Sequence, residues 1–136
     1  MRIMLDTNVL ISALVFGGQP KQLLETMILS GYEILVSEYV CNEFIDKLKI
    51  KWPDKADKLI SIFKKMNFIF CESTTQILGN VRDEKDIPVL SDALFHNADI
   101  LLTGDKDFLE SNIDNPIIFS PKMMFYLSPK SVFYLI

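Results

Sequence analysis

Four acidic residues offer the chemistry in this sequence: Asp6, Glu43, Asp86 and Asp105, all far apart along the chain. Brought to one place, four carboxylates repel one another unless something positive sits among them. An all-oxygen donor set suits a hard divalent cation, Mg²⁺ or Mn²⁺, better than zinc. Zinc is further disfavoured because His96 is the single histidine and Cys41 and Cys71 lack ligand spacing. A cation held by such a set lowers the pKa of water and neutralises charge on a phosphate, which is the equipment of a phosphodiester hydrolase.

The elements around these acids predict that they meet. Short apolar strands are expected at residues 2–5, 33–36, 68–70, 100–103 and 117–119. Helical spacing predicts a short helix over 9–16 and another from Lys21 that ends at Ser30-Gly31. After Ser37, an N-cap candidate, Val40, Phe44 and Leu48 make an apolar stripe. A helix over 55–66 should turn Leu59, Ile62, Phe63 and Met66 inward. Residues 72–85 are the least patterned, and Asp86 reads as the cap of a helix carrying Val89, Leu90, Ala93 and Leu94. A last short helix is expected over 122–127, followed by an apolar tail, 128–136, that packs on the body or on a partner. Alternating strands and helices give an α/β fold of three layers, α/β/α, with a central parallel sheet of roughly five strands.

In such a sheet, functional groups collect at the carboxyl ends of the strands. Asp6 directly follows the first strand, and Asp105 follows the fourth by one glycine. Asp86 opens a helix whose N-terminus lies at the same edge. Glu43, in the second turn of its helix, flanks the Val40–Phe44 stripe and can point along that edge. Each acid also has an ordinary reading: a turn former or cap at Asp6, a solvated helix residue at Glu43, an N-cap at Asp86, turn residues at Asp105 and Asp107. Joint placement at one edge favours the metal reading.

Composition sets the outer bounds. A chain of 136 residues, 49% hydrophobic and 24% charged, suits one domain spanning 1–136 with a sizeable core. No apolar run reaches about 18 residues, and the start MRIMLDTN lacks a signal segment, so a cytoplasmic protein without a membrane span is expected. The net charge of −4 argues against a broad basic grip on nucleic acid but not against a nucleic-acid enzyme working through metal ions. Lys47, Lys49 and Lys51, followed by Trp52, offer phosphate and stacking contacts to RNA or simply a solvated helix end.

Four pieces in order carry a resemblance: Leu5-Asp6-Thr7-Asn8-Val9-Leu10, Ser37-Glu38-Tyr39-Val40-Cys41-Asn42-Glu43-Phe44, Arg82-Asp83-Glu84-Lys85-Asp86, and the stretch from Ala98 to Leu109 containing Thr103-Gly104-Asp105-Lys106-Asp107. Across essentially its whole length the chain resembles the PIN domain, in its VapC-type toxin ribonuclease branch. The resemblance implies an endoribonuclease dependent on Mg²⁺ or Mn²⁺ that hydrolyses RNA with metal-activated water. It places metal-ligand and catalytic roles on Asp6, Glu43, Asp86 and Asp105. It makes Asn8 and Thr103 supporting polar residues and Asp107 an extra acid. Asp83 competes with Asp86 for the third acidic position; Asp86 is preferred because it opens the helix, and Asp92 fits less well. Pro88, just after Asp86, bears on where that helix starts. The family also implies an antitoxin partner and a homodimer.

Two other readings stand beside this one. A haloacid-dehalogenase-like phosphatase would also place an early aspartate after a strand, but the acid expected two residues on is Asn8 here. A catalytically silent PIN-like interaction module is the alternative from a different class; the presence of all four acids counts against it.

Overall fold

The computed structural model describes residues 1–81 and 83–127. Its five strands are β1 (Arg2–Leu5), β2 (Glu33–Ser37), β3 (Ile69–Cys71), β4 (Ile100–Leu102) and β5 (Ile117–Phe119). They form one sheet in the order β3-β2-β1-β4-β5, every pair parallel. Successive side chains of a strand point to opposite faces. Ile3, Met4 and Leu5 are all fully buried, as are Ile34, Leu35 and Val36, and Ile100 to Leu102 nearly so. Both faces of the three central strands are therefore covered, which is the three-layer α/β/α arrangement. The outer strands are wetter, with Ile69, Phe70 and Ile117 exposed.

Among the described residues, seven α-helices supply the cover: α1 (Thr7–Ile11), α2 (Gly18–Leu29), α3 (Glu38–Lys51), α4 (Pro53–Lys65), α5 (Ile87–Phe95), α6 (Lys106–Leu109) and α7 (Pro121–Leu127). None is long and apolar enough to cross a membrane. Ser37 caps α3 by accepting from the Val40 N–H at 3.3 Å. On α3 and α4, Phe44 and Phe63 meet with ring centroids 4.8 Å apart, and Phe68 and Phe70 close on the other sides of Phe63 at 5.9 and 5.4 Å.

The end of the sheet where the strands begin is tied down by Arg2. Its guanidinium pairs with Glu33 at 2.5 Å and donates to the His96 carbonyl at 2.9 and 3.1 Å, while its N–H donates to Asp99. These bonds join the starts of β1, β2 and β4, leaving the opposite end to carry the acids.

Several expected boundaries shift, each for a local reason. The first helix starts two residues early, at Thr7, because Asp6 caps it, and from Ser12 to Phe16 it widens into a π-helix that ends at Gly17 with φ of 76°. β3 begins at Ile69 rather than Phe68, whose ring is drawn into the Phe63 cluster. On α4, Ala56, Leu59 and Phe63 form the inner stripe and Ile62 is left 43% exposed, contrary to expectation. The helix expected to start at Asp86 is preceded by a 3₁₀ turn over Glu84–Asp86. The apolar tail, 128–136, and Arg82 lie outside the described residues.

Phe63 is the aromatic residue on which this packing turns. Phe63→Ala is expected to lower the unfolding free energy by about 3–5 kcal/mol, measured as a shift of the urea midpoint at constant slope. A loss well under 1 kcal/mol would contradict the packing described.

Candidate functional site

Where β1 stops, the chain stays extended for one more residue. Asp6 has φ −82° and ψ 157°, and its N–H still donates to the Leu102 carbonyl at 3.0 Å. The carboxylate is thereby fixed at the carboxyl end of the sheet, 6% exposed. Its Oδ1 accepts from the Thr7 N–H at 2.8 Å, and its Oδ2 accepts from the Thr103 hydroxyl at 2.7 Å. Thr103 directly follows β4, so this bond joins the ends of β1 and β4. In the strand order, β1 and β4 flank the point where successive connections change direction, the place in open α/β sheets where ligands bind.

Thr103 does more than hold Asp6. Its hydroxyl oxygen also accepts from the Asp105 N–H at 3.0 Å. Asp105 then caps α6, its Oδ1 accepting from the Asp107 N–H at 2.8 Å. One hydroxyl thus sets the spacing between two of the expected acids.

The third acid arrives from the loop before α5. Asp83 caps the 3₁₀ turn, accepting from the Lys85 N–H at 3.0 Å. Asp86 was expected to cap the helix; it occupies the cap position, but its side chain makes no capping bond. Its Oδ2 is instead buried without a hydrogen-bond partner. One carboxylate oxygen from each of Asp83, Asp86 and Asp107 lies within 4.8 Å of the others. Sequence reasoning set Asp83 against Asp86, whereas the turn brings both together.

The field at this edge is strongly negative. Burial raises the Asp86 carboxyl pKa to about 7, with further upward pushes from Asp105, Asp6, Asp83 and Asp107. Burial likewise raises Asp6, opposed by its bonds from Thr103 and Thr7 and aided by Glu43 and Asp105. Glu43 therefore belongs to the same field from the α3 side, although it lies outside the tight Asp83–Asp86–Asp107 group. It also has a cationic neighbour, Lys47 at 3.9 Å one helical turn on, which reading the sequence did not anticipate. Lys49 and Lys51 are exposed, and Trp52 packs edge-on against Phe16 at 5.7 Å.

Asn8 does not orient a carboxylate here. It is exposed on α1 while Thr7, Val9 and Leu10 face inward, and no hydrogen bond forms from its side chain to the described residues. The polar support for Asp6 comes from Thr103 and the Thr7 backbone. Asp92 is fully buried and structural, accepting from the Ser73 hydroxyl and the Thr74 N–H, each at 2.7 Å. Sequence reasoning missed Tyr39. It lies four residues before Glu43 on α3 and so shares its face. Burial raises its phenol pKa, and Glu43, Asp86, Asp6 and Asp83 add to the rise, which places it on the wall of the acidic cleft. The Tyr39–Glu43 spacing was the signal available.

The residues present fit a divalent cation. The donors are oxygens, the acceptor orphaned on Asp86 is buried, and the neighbouring carboxylates add to the raised proton affinity of Asp86. A cation coordinated here would replace the proton that burial and repulsion otherwise hold on Asp86.

Comparison with known proteins follows the same line. A family model described as PIN domain matches residues 2–107. Among solved structures, the chain is similar to a chain of VapBC2 from Rickettsia felis, in a crystal structure described as bound to a DNA fragment from their promoter. The TM-score is 0.68 at 21% identity, covering 88% of this chain and 98% of that one, and the likeness is one of fold. A search of curated proteins gives no match.

The raised Asp86 carboxyl predicts a pH effect with a definite sign. Below the unfolded value near 3.8 both states are protonated and the stability is intact; it is lost as pH rises through about 7, where the folded carboxyl must ionise. The melting temperature of metal-free protein should therefore fall more between about pH 5 and pH 8 in wild type than in Asp86→Asn. Thermal melts in chelator test this, and equal pH dependence in the two proteins would count against it.

Proposed function

The chain belongs to the PIN domain family, and we propose on that premise that it is an endoribonuclease dependent on Mg²⁺ or Mn²⁺, acting as one domain over 1–136. The observation that carries this reading is the buried, unpartnered Asp86 oxygen within a group of carboxylates at the β1/β4 edge. Asp6, Glu43, Asp86 and Asp105 would hold the cation, with Asp83 and Asp107 close enough to share the task. When bound, such a cation supplies Lewis acidity and a lowered water pKa for attack on a phosphodiester.

The chain's own residues set the conditions for that chemistry. Thr103 keeps the Asp6 carboxylate in one orientation, so a ligand oxygen is presented without side-chain reorganisation. Without a cation the acids repel the phosphate of an RNA strand, which makes cation loading a prerequisite for substrate binding. Asp86, with a carboxyl pKa near neutrality, gives up its proton on loading. Tyr39 keeps its phenolic proton and offers an O–H donor from the cleft wall.

A toxin role, with a cognate antitoxin and a homodimeric state, extends this proposal. It is supported by the fold likeness to a structure whose description names VapBC2 bound to promoter DNA. A cytoplasmic location fits such a role. Induced expression should arrest growth and co-expression of a small neighbouring protein should relieve it; unaffected growth in both cases would remove the toxin claim.

For the nuclease itself, Asp6→Asn and Asp86→Asn should each lower RNA cleavage by at least roughly 100-fold, and EDTA should abolish it. Thr103→Val should weaken the Mn²⁺ requirement's apparent affinity by about 10–100-fold while the protein stays folded. Cleavage that persists in EDTA at the wild-type rate would overturn the assignment.

A further inference from the structure

On the side away from β5 the sheet ends in an open edge. β3 pairs with β2 alone, and no backbone hydrogen bond reaches its outer side from the described residues. Ile69 and Phe70 are exposed there, and the strand carries neither the lysine nor the proline that commonly guards such an edge. Its unpaired N–H and C=O groups are a template for an incoming strand.

A cavity of about 400 Å³ lies beside this edge, a volume within the range of ligand sites. Val36, Cys41, Phe63 and Phe70 make its walls largely apolar. Val36 and Phe70 stand opposite each other in the β2–β3 register and so share a face of the sheet. A strand laid along β3 would set one of its own side chains next to Phe70 on that face.

We infer that the β3 edge and this cavity form one docking site for an extended segment of a partner protein, which adds a sixth strand and seats an apolar side chain beside Phe70. Backbone pairing combined with a side-chain pocket is the general form of strand-addition recognition. The rim says what flanks the apolar anchor. Glu38, Lys64 and Glu72 are exposed around the cavity, and none is ion-paired among the described residues. Two carboxylates against one ammonium favour basic residues in the segment. Residues two apart on a strand share a face, which gives the pattern basic-x-apolar-x-basic.

Other occupants fit less well. A second copy pairing β3 to β3 would offer only its own Phe70, and that ring already packs on Phe63 at 5.4 Å. Burial pushes the Cys41 and Cys71 thiols up, Cys71 to about 11, so both stay neutral and present small apolar surface rather than ligands for an ion. None of the acids assigned to the cation lines this cavity, so the inference stands apart from the nuclease reading.

The probe is the fluorescein-labelled peptide Thr-Lys-Val-Phe-Val-Lys-Thr, titrated at low salt into the full-length protein and read by fluorescence anisotropy. Saturable binding is expected, with amide hydrogen exchange slowed over residues 69–71. Changing the peptide's phenylalanine to serine should weaken binding at least about ten-fold. N-methylation of alternate peptide residues tests the backbone: one of the two alternate sets should abolish binding and the other should be tolerated. Changing both peptide lysines to glutamine should cost about three- to ten-fold against wild type and almost nothing against Glu38→Gln/Glu72→Gln. Absence of saturable binding, or binding indifferent to the serine change or to both N-methyl sets, overturns the inference. Protection of 69–71 that rises with protein concentration in the absence of peptide would give the edge to a second copy, and overturns it too.

Discussion

One hydrogen bond organises the functional edge: the Thr103 hydroxyl on the Asp6 carboxylate, 2.7 Å long and buried. It spans the gap between β1 and β4, residues 97 positions apart that only a parallel sheet of this strand order brings together. The same oxygen accepts from the Asp105 N–H. Without the bond Asp6 would be a buried carboxylate held by one backbone N–H, and the spacing of Asp6 and Asp105 would depend on loop conformation alone. The hydroxyl partly offsets the desolvation that raises the Asp6 pKa, and so keeps a charged group tolerable at a nearly closed position.

Beyond Asp6 the edge breaks a rule that the rest of the molecule obeys. The sheet interior is apolar on both faces, Arg2 closes the far end with paired charges, and buried Asp92 is satisfied by two donors. At the acidic edge, by contrast, carboxylates gather on one another and Asp86 keeps a buried oxygen without a partner. Local conflict of this sort, in a chain otherwise consistent from propensity to packing, marks sites where function outweighs stability. A hard cation bound there would resolve the repulsion, the orphaned acceptor and the raised proton affinity together.

Much of this was legible in the residues. The five strands, the parallel three-layer arrangement and the cap at Ser37 follow from apolar runs, periodicity and turn chemistry, because those signals are local. Asp6 and Asp105 were legible since each abuts a strand end. Asp83 beside Asp86 was not, as it depends on a 3₁₀ turn in the least patterned stretch of the chain. Thr103 was named only through resemblance; its grip on Asp6 is a contact between remote residues that spacing cannot reveal. Asn8 looked like the natural helper, yet the first turn of α1 turns it to solvent. Tyr39 carries no charge at neutral pH, so only its place four residues before Glu43 on one helix face points to the cleft.

Under the proposed function, Asp86 and its neighbours form a divalent-cation site whose loading displaces a proton. Calorimetric titration of Mn²⁺ into metal-free protein near pH 6, repeated in buffers of different ionisation enthalpy, measures both at once. Saturable binding with release of about one proton, lost in Asp86→Asn, is the predicted result. Absence of saturable binding, or binding with the same proton release in Asp86→Asn, would contradict it.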